Sequence, residues 1–445
     1  HLMFNRRNFF KENLAVGFLL FALFLGAGNI IFPPVLGQQA GENIVISIIG
    51  FLITGVGLPL LAIVTVAKNG GDLQILANRV GHRFSLIFTS IVYLAIGPLF
   101  ALPRTGAVSY SIGVHPHLSG TAQESWLPLF VTTLIFFSIT IYLAYNPSKL
   151  VDRIGKVLTP TLLIVISLLA VKAFITPMGG IGEAKGDYVT TAFGESFVQG
   201  YLTMDVLGAL VFGIVILQAV QMRGVTERKE QVKITVFAGI IAAIGLAFVY
   251  ISLAYIGVTS PDAVGYLEDG GAILAASSKV LFGELGSIIL SATIILACLT
   301  TAVGLLSANA SFFAKVFPKV SYKTFLIIFT VFSFGISNFG LSKLIEFSLP
   351  VLLIIYPIAI VLMVLALIGN VFNHSRFVYS FALITTGIIS LYDGIKAAGF
   401  EIATYESILE ALPLYEQSVG WLIPMIIAAV IGYIVQLIFN TLKAK

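Results

Sequence analysis

The chain has 445 residues, of which 58% are hydrophobic and only 10% are charged. Soluble globular domains are about one quarter charged, so this composition excludes a soluble protein and indicates an integral membrane protein. The formal net charge of +4 gives no indication of nucleic-acid binding, and the single cysteine, Cys298, excludes both an intrachain disulfide and a thiolate metal site.

Apolar stretches long enough to cross a bilayer recur along the whole sequence. A hydrocarbon core about 30 Å thick needs about 20 mostly apolar residues per helix. Such stretches predict an all-α membrane protein with twelve transmembrane helices. The predicted spans cover residues 14–36, 43–66, 84–112, 127–145, 150–175, 198–220, 233–258, 286–314, 322–338, 344–369, 376–395 and 417–440.

The basic residues fix the orientation, because the cytoplasmic loops of membrane proteins carry an excess of Lys and Arg. With the amino terminus inside, most of the 25 Lys and Arg residues fall in interior segments, whereas acidic residues collect in exterior loops near 259–285 and 396–416. Both termini are therefore predicted to be cytoplasmic. The lipid bilayer is a predicted partner, and no nucleic acid or obligate protein partner is expected.

Span one is interrupted near its middle by the sequence FLGAGNIIFPP, residues 24–34. Gly26 and Gly28 permit backbone torsions that other residues avoid, while Pro33 and Pro34 lack the N–H groups that a continuing helix needs. An unpaired backbone polar group in hydrocarbon costs several kcal/mol, so such a break is expected only where protein, solute or an ion satisfies it. The break therefore predicts a binding site.

Span six is the second interrupted span, because Asp205, Gly208 and Gly213 fall within the apolar run GYLTMDVLGALVFG, residues 200–213. Corresponding breaks in two halves of a chain indicate a transporter built from structural repeats, with its site near the midplane. Five spans lie from the first break to just before the second, and this odd number requires the second repeat to be inverted. We therefore predict a five-plus-five inverted repeat, with a first repeat at 14–175, a second at 198–369, and two additional helices at 376–440.

The two breaks together predict the chemistry of the solute. A second half-helix starting near Phe32 offers, at its amino-terminal end, free N–H groups and a partial positive charge that suit a carboxylate. Unwound carbonyls at the breaks accept hydrogen bonds from an ammonium group or coordinate a hard cation. Donors at one edge and acceptors at the other match a zwitterionic amino acid. The alternative is close helix packing through small residues, since Ala22 and Gly26 are four residues apart.

A candidate ion site lies in span eight, where Thr300 and Thr301 follow Ala297 at about the depth of Ala22 and Leu25 in span one. Hydroxyl and carbonyl oxygens without a carboxylate suit a monovalent hard cation such as sodium. The alternative is that the threonine hydroxyls bond back to their own helix.

Arg104 and Asp205 are the ionised residues predicted to lie well inside the spans, where charged groups mark a functional site and face a partner or a cavity. Their depths in spans three and six predict that they can meet, either as a buried ion pair that holds helices in register or as an outer gate. Asp205 is also a candidate for a titrating, proton-carrying group.

No catalytic constellation can be drawn from the sequence, because the histidines lie in loops or at the terminus and no HExxH or nucleotide-binding motif occurs. The chain is therefore predicted not to be an enzyme, to need no cofactor, and to draw its energy from an ion gradient. An ion channel is the alternative from another class, although the spans contain few polar positions for a pore.

Three segments together resemble the bacterial branched-chain amino acid:cation symporter family of the BrnQ type. They are FALFLGAGNIIFPPVLGQQAGENI in span one, YLAIGPLFALPRTGAVSY in span three and GYLTMDVLGALVFGIV in span six. That family belongs with the LeuT-like transporters of the amino acid-polyamine-cation superfamily. The resemblance implies sodium-coupled import of leucine, isoleucine and valine across the bacterial inner membrane.

The resemblance also implies roles for individual residues. Through the GAGN motif, Gly26, Ala27, Gly28 and Asn29 would meet the amino acid through their backbone. The second break adds Thr203, Asp205 and Gly208 as further candidate substrate-binding residues. The ion that the family carries would be held by oxygens of spans one and eight, at Ala22, Leu25, Ala297, Thr300 and Thr301. A second sodium, present in some relatives of this fold, would correspond to Asn29 and Thr203.

Overall fold

The computed structural model describes residues 2–25, 28–145 and 149–445. Regular structure in these ranges is helical, as the continuous apolar runs predict. The helices are α1 (Leu2–Leu25), α2 (Phe32–Ala40), α3 (Ile44–Leu52), α4 (Leu58–Lys68), α5 (Leu73–Ala77), α6 (His82–Leu94), α7 (Ala101–Gly113), α8 (Leu127–Tyr145), α9 (Lys149–Ile175), α10 (Ala192–Leu202), α11 (Asp205–Met222), α12 (Arg228–Val258), α13 (Pro261–Val264), α14 (Gly270–Val316), α15 (Tyr322–Ser337), α16 (Leu341–Leu367), α17 (Arg376–Ala397), α18 (Ala403–Glu410) and α19 (Leu422–Lys443).

Ten helical stretches in the described ranges are long and apolar enough to cross a membrane. Two shorter apolar helices, Asn13–Leu25 and Tyr322–Ser337, lie at the positions of predicted spans one and nine. The prediction of an all-α, multi-pass membrane protein is confirmed. Ser and Thr hydroxyls inside these helices mostly bond back to carbonyls one turn earlier, which satisfies them without water.

Several helices are bent at identifiable residues. A π-helical turn, Ile53–Gly57, joins α3 to α4, and a second, Ala95–Leu99, joins α6 to α7. Gly97 leaves helical geometry and Pro98 follows it, so α7 starts in a new direction. Within α14, Gly283 has φ 72°, which separates a first segment from the long remainder of the helix. The turn before α7 is the one that directs Arg104 into the bundle.

Glycines let the short helices α2 and α10 pack closely against their neighbours. A Cβ on Gly257 of α12 would lie 2.8 Å from the Cα and carbonyl carbon of Pro34 in α2. On α10, a Cβ on Gly200 would lie 2.7 Å from the Cβ of Thr54, and the Thr54 hydroxyl donates to the carbonyl of Phe197 at 2.8 Å. Small residues let helix backbones approach closely in membranes, where the hydrophobic effect gives little discrimination between helix and lipid.

Candidate functional site

The first helix break runs from the end of α1 at Leu25 to the start of α2 at Phe32. Gly28 lies in the left-handed region with φ 82°, and a single 3₁₀ turn, Asn29–Ile31, leads into α2. The predicted site residues Gly26 and Ala27 lie outside the described residues. A Cβ on Gly28 would be 3.2 Å from Nε of Arg104, so glycine at this position lets the arginine pass close to the backbone.

The second break separates α10, which ends at Leu202, from α11, which begins at Asp205. Met204 has φ 60°, a left-handed conformation that interrupts the helical geometry between α10 and α11. The Thr203 hydroxyl donates to the carbonyl of Gly200 at 2.7 Å and accepts from the backbone N–H of Asp205 at 3.3 Å. These bonds fix the turn. They leave the carbonyls of Leu202 and Thr203 to accept hydrogen bonds from donors outside the turn.

A buried hydrogen-bond network joins the two breaks. The Asn29 amide donates to Oδ1 of Asp205 at 3.1 Å and to the hydroxyl of Tyr250 at 2.6 Å. The Tyr250 hydroxyl in turn donates to Oδ2 of Asp205. All three side chains are at most 2% exposed. The structure therefore brings together Asn29 and Asp205, which lie 176 residues apart in sequence and were both predicted as site residues.

Arg104 reaches both breaks from α7. Its Nη1 donates to the carbonyl of Leu202 at 2.5 Å, and its Nη2 donates to the carbonyl of Thr203 at 2.9 Å. Its Cζ lies 5.3 Å from the centre of the Phe32 ring at the start of α2. Asp205 accepts from Asn29 and Tyr250, so the two charged residues attach to the same turn through different partners.

One acceptor at the meeting point of the breaks remains open. Among the described residues, Oδ1 of Asn29 is buried and has no hydrogen-bond partner. Both N–H groups of this amide are used by Asp205 and Tyr250, which fixes the direction of the oxygen. A buried unpaired acceptor is costly in a native structure, so a donor or a cation is the expected partner. The chemistry of Asn29 therefore suits an ammonium group or a metal cation.

Two tyrosines belong to this region although the sequence pattern did not single them out. Besides Tyr250, Tyr356 of α16 accepts from the backbone N–H of Val206 at 3.3 Å and stacks on Tyr201 at 4.6 Å between ring centres. Both tyrosines lie in apolar spans, and both are at most 1% exposed. The sequence signal that could have identified them is a hydroxyl placed well inside a span. Depth in the span did not distinguish Tyr250 and Tyr356 from the other tyrosines of the sequence.

Gly208, another predicted substrate residue, lies one turn into α11. A Cβ there would be 3.3 Å from the ring of Phe212 and 3.8 Å from the ring of Phe24 in α1. Phe24 and Phe212 themselves meet edge to face at 5.7 Å. Gly208 thus adjoins an aromatic, apolar wall between α1 and α11, next to the polar cluster at the breaks.

The predicted sodium ligands lie on two helices, α1 and α14. Ala22 and Leu25 belong to α1, which packs against α11 and α12, whereas α14 packs against the Asn29–Ile31 turn and α2. On α14, the Thr300 hydroxyl donates to the carbonyl of Ala297 at 2.9 Å. Within the described ranges, the Thr301 hydroxyl makes no such bond to its own helix. The alternative drawn from the sequence, a hydroxyl bonded back to its own helix, therefore holds for Thr300.

The architecture is that of a membrane transporter, with membrane-length helices around a buried polar cluster where four helix ends meet. The chain belongs to a family whose description is "Branched-chain amino acid transport protein", and the match covers residues 10–439. This membership confirms the resemblance to BrnQ-type symporters. It also confirms that the chain is a transporter and not an enzyme.

Relatives and a solved structure match over nearly the full length of the chain. The branched-chain amino acid permease BraB of Bacillus subtilis (strain 168) is 50% identical, with 97% of each chain covered. The branched-chain amino acid permease BrnQ of Escherichia coli (strain K12) is 44% identical, with 95% of each covered. The structure of Mhp1, a nucleobase-cation-symport-1 family transporter in a closed conformation with bromovinylhydantoin bound, aligns with TM-score 0.60 at 15% identity, covering 94% of this chain and 91% of that one. The fold is thus LeuT-like.

Proposed function

We propose that this protein is a secondary active symporter that imports leucine, isoleucine and valine together with sodium by alternating access. The observation that carries the proposal is the hydrogen bond between Asn29 and Asp205, which joins two helix breaks in a chain of the branched-chain amino acid transport family. An unpaired acceptor at that junction supports a solute with a cationic end.

The proposed architecture has twelve spans in a bacterial inner membrane, with both termini in the cytoplasm. The two repeats are 14–175 and 198–369, inverted relative to each other, and 376–440 supplies two further helices. In this arrangement α1 with α2 and α10 with α11 are the broken first helices of the repeats. Rocking of one helix bundle against the other would expose the junction of the breaks to each side in turn.

The amino acid would lie at the junction with its two charged groups separated. Its carboxylate would face the amino-terminal end of the Asn29–Ile31 turn and α2, where partial positive charge is concentrated. Its ammonium group would donate to Oδ1 of Asn29. The aromatic wall of Phe24 and Phe212 beside Gly208 would contact the branched aliphatic side chain. Gly26, Ala27 and Thr203 would complete the surroundings.

Sodium is proposed as the coupling ion, held by oxygens of Ala22, Leu25, Ala297, Thr300 and Thr301. A sodium ion moving down a membrane potential of about 100 mV releases roughly 2.3 kcal/mol, and a tenfold concentration gradient adds about 1.4 kcal/mol. Coupling of one ion to one amino acid therefore sustains several-hundredfold accumulation. No cofactor is needed.

Leucine counterflow in proteoliposomes tests the transport activity, and imposed gradients test its coupling. Labelled leucine should exchange against internal leucine, isoleucine or valine, and an inward sodium gradient alone should drive accumulation. A pH gradient imposed without sodium should not. Counterflow that fails with all three amino acids would contradict the proposed substrate, and single-channel currents would contradict a carrier mechanism.

Proton coupling through Asp205 is the second candidate. The observation that favours it is the Asp205 carboxylate, which is only 2% exposed and accepts hydrogen bonds from Tyr250 and Asn29. These neighbours would be hydrogen-bonding partners for Asp205 when it takes up and releases a proton. Accumulation driven by a pH gradient in sodium-free buffer would establish this candidate and remove the sodium one.

Replacement of Thr301 by alanine should raise the sodium concentration for half-maximal leucine uptake by about tenfold, which corresponds to about 1.4 kcal/mol of lost ion coordination. Thr293→Ala is the matched control, because its hydroxyl is bonded to the carbonyl of Ile289 on the same helix at 2.8 Å. Sodium titrations of leucine uptake measure both. Equal sodium dependence in the two variants would show that Thr301 does not coordinate the ion.

A further inference from the structure

The carbonyl oxygens that end α10 already have a cationic partner. The last carbonyls of a helix lack donors within the helix and carry partial negative charge, so they attract cations. Here the guanidinium of Arg104 donates to Leu202 and Thr203 through separate nitrogens, at 2.5 and 2.9 Å. These two oxygens are positions at which a mobile cation would otherwise be stabilised.

The Arg104 side chain is buried and contacts the protein on several sides. Arg104 is 2% exposed, and its Cζ lies over the Phe32 ring on the far side of the first break. Gly28 supplies the space for its stem, because a Cβ there would be 3.3 Å from Cγ of the arginine. Gly97 and Pro98 set the direction of the helix that carries it. The residue therefore bridges both breaks as a fixed part of the structure.

The charges at the junction also indicate that no further cation is needed at the α10 carbonyls. Asp205, whose two carboxylate oxygens both accept hydrogen bonds, contributes one negative charge, and Arg104, bonded to the same turn, contributes one positive charge. Asn29, Thr203 and Tyr250 are neutral, so the cluster is balanced without an added ion. A further cation at the α10 carbonyls would lie beside the guanidinium in a buried region, where repulsion between like charges is weakly screened.

We propose that Arg104 is a fixed cation that takes the place of a second coupling ion at the α10–α11 turn, so that each amino acid crosses with one sodium ion. The inference rests on the sodium symport proposed above and adds its stoichiometry. Arg104 is then a positioning residue, which holds the carbonyl end of α10 against the first break. Asn29 and Thr203 do not form a second sodium site.

The stoichiometry is measured by simultaneous uptake of radioactive sodium and labelled leucine into proteoliposomes at a fixed membrane potential. One sodium per leucine is expected, together with first-order dependence of leucine binding on sodium. Two sodium ions per leucine would overturn the role of Arg104. Leucine uptake without sodium flux would instead overturn sodium coupling. The leucine affinities of the R104K and R104Q variants would then decide whether Arg104 is a positioning residue.

Two substitutions separate the fixed charge from a purely structural contact. R104K keeps the charge but loses the two-pronged contact, so leucine affinity should fall about tenfold with the stoichiometry unchanged. R104Q, once shown to be folded by size-exclusion chromatography, should bind leucine with second-order sodium dependence, because a second ion enters the vacated position. First-order dependence with wild-type leucine affinity in R104Q would overturn the proposal. If R104Q does not fold, the sodium-to-leucine ratio of the wild type and the leucine affinity of R104K still test the proposal. K343Q, at an exposed site, is the control.

Discussion

Asp205→Asn is expected to abolish both sodium-driven leucine uptake and leucine counterflow. An asparagine presents an NH₂ group where Oδ1 or Oδ2 now accepts, so either the Asn29 amide faces another donor or the Tyr250 hydroxyl loses its carboxylate acceptor. The substitution also removes the negative charge near Arg104. Breaking a buried charged network costs about 3–5 kcal/mol, which corresponds to a loss of at least a hundredfold in leucine affinity.

Counterflow is the decisive assay for this variant. If Asp205 only carried a proton, its amide replacement would lose gradient-driven uptake but keep leucine exchange, which needs no proton release. If Asp205 orients the Asn29 amide, exchange is lost as well. Tyr250→Phe should show a smaller defect in the same direction, about tenfold, because it keeps the Asp205 carboxylate and its bond from Asn29 but removes the hydroxyl that donates to Asp205 and accepts from Asn29. Glu410→Gln, at the exposed end of α18, should transport like the wild type.

Gly257→Val is expected to prevent stable packing of α2 against α12 and to eliminate transport. Even the first carbon of a side chain at this position would lie 2.8 Å from backbone atoms of Pro34, and backbone cannot move aside as a flexible side chain does. Overpacking of this kind costs about 1–3 kcal/mol for small additions and more for a β-branched residue. The displaced helix is the one that follows the first break.

Thermal unfolding in detergent and leucine uptake measure this effect together. The matched control is Gly304→Ala on α14, where an added Cβ has open space and alanine favours the helix by about 1 kcal/mol. The control should unfold at or above the wild-type temperature, whereas Gly257→Val should unfold at a clearly lower one. Wild-type stability and uptake in Gly257→Val would show that the α2–α12 contact is not tight.

The fold class was predictable because membrane spans obey a simple length and hydropathy rule. The ends of α1 and α10 could also be located from glycine, proline and aspartate in apolar runs, since these residues act locally on backbone torsions. Asn29 and Asp205 were found for the same reason. Each is a polar residue at a place where the chain must leave helical geometry.

The partners of those residues could not be predicted, because they are set by tertiary packing. Tyr250 and Tyr356 are ordinary members of apolar helices. Their hydroxyls gain a role only because α12 packs against the first break and α16 packs against the second. Arg104 was predicted to meet Asp205, but its hydrogen bonds to Leu202 and Thr203 depend on the direction that Gly97 gives to α7. Spacing along the sequence carries no information on that direction.

Binding of the amino acid at the junction of the two helix breaks can be seen in an experimental structure of the protein in lipid nanodiscs with leucine and sodium present. Leucine is expected within hydrogen-bond distance of Oδ1 of Asn29, with its side chain toward Phe24 and Phe212. Leucine bound elsewhere, with Asn29 still lacking a partner, would contradict it.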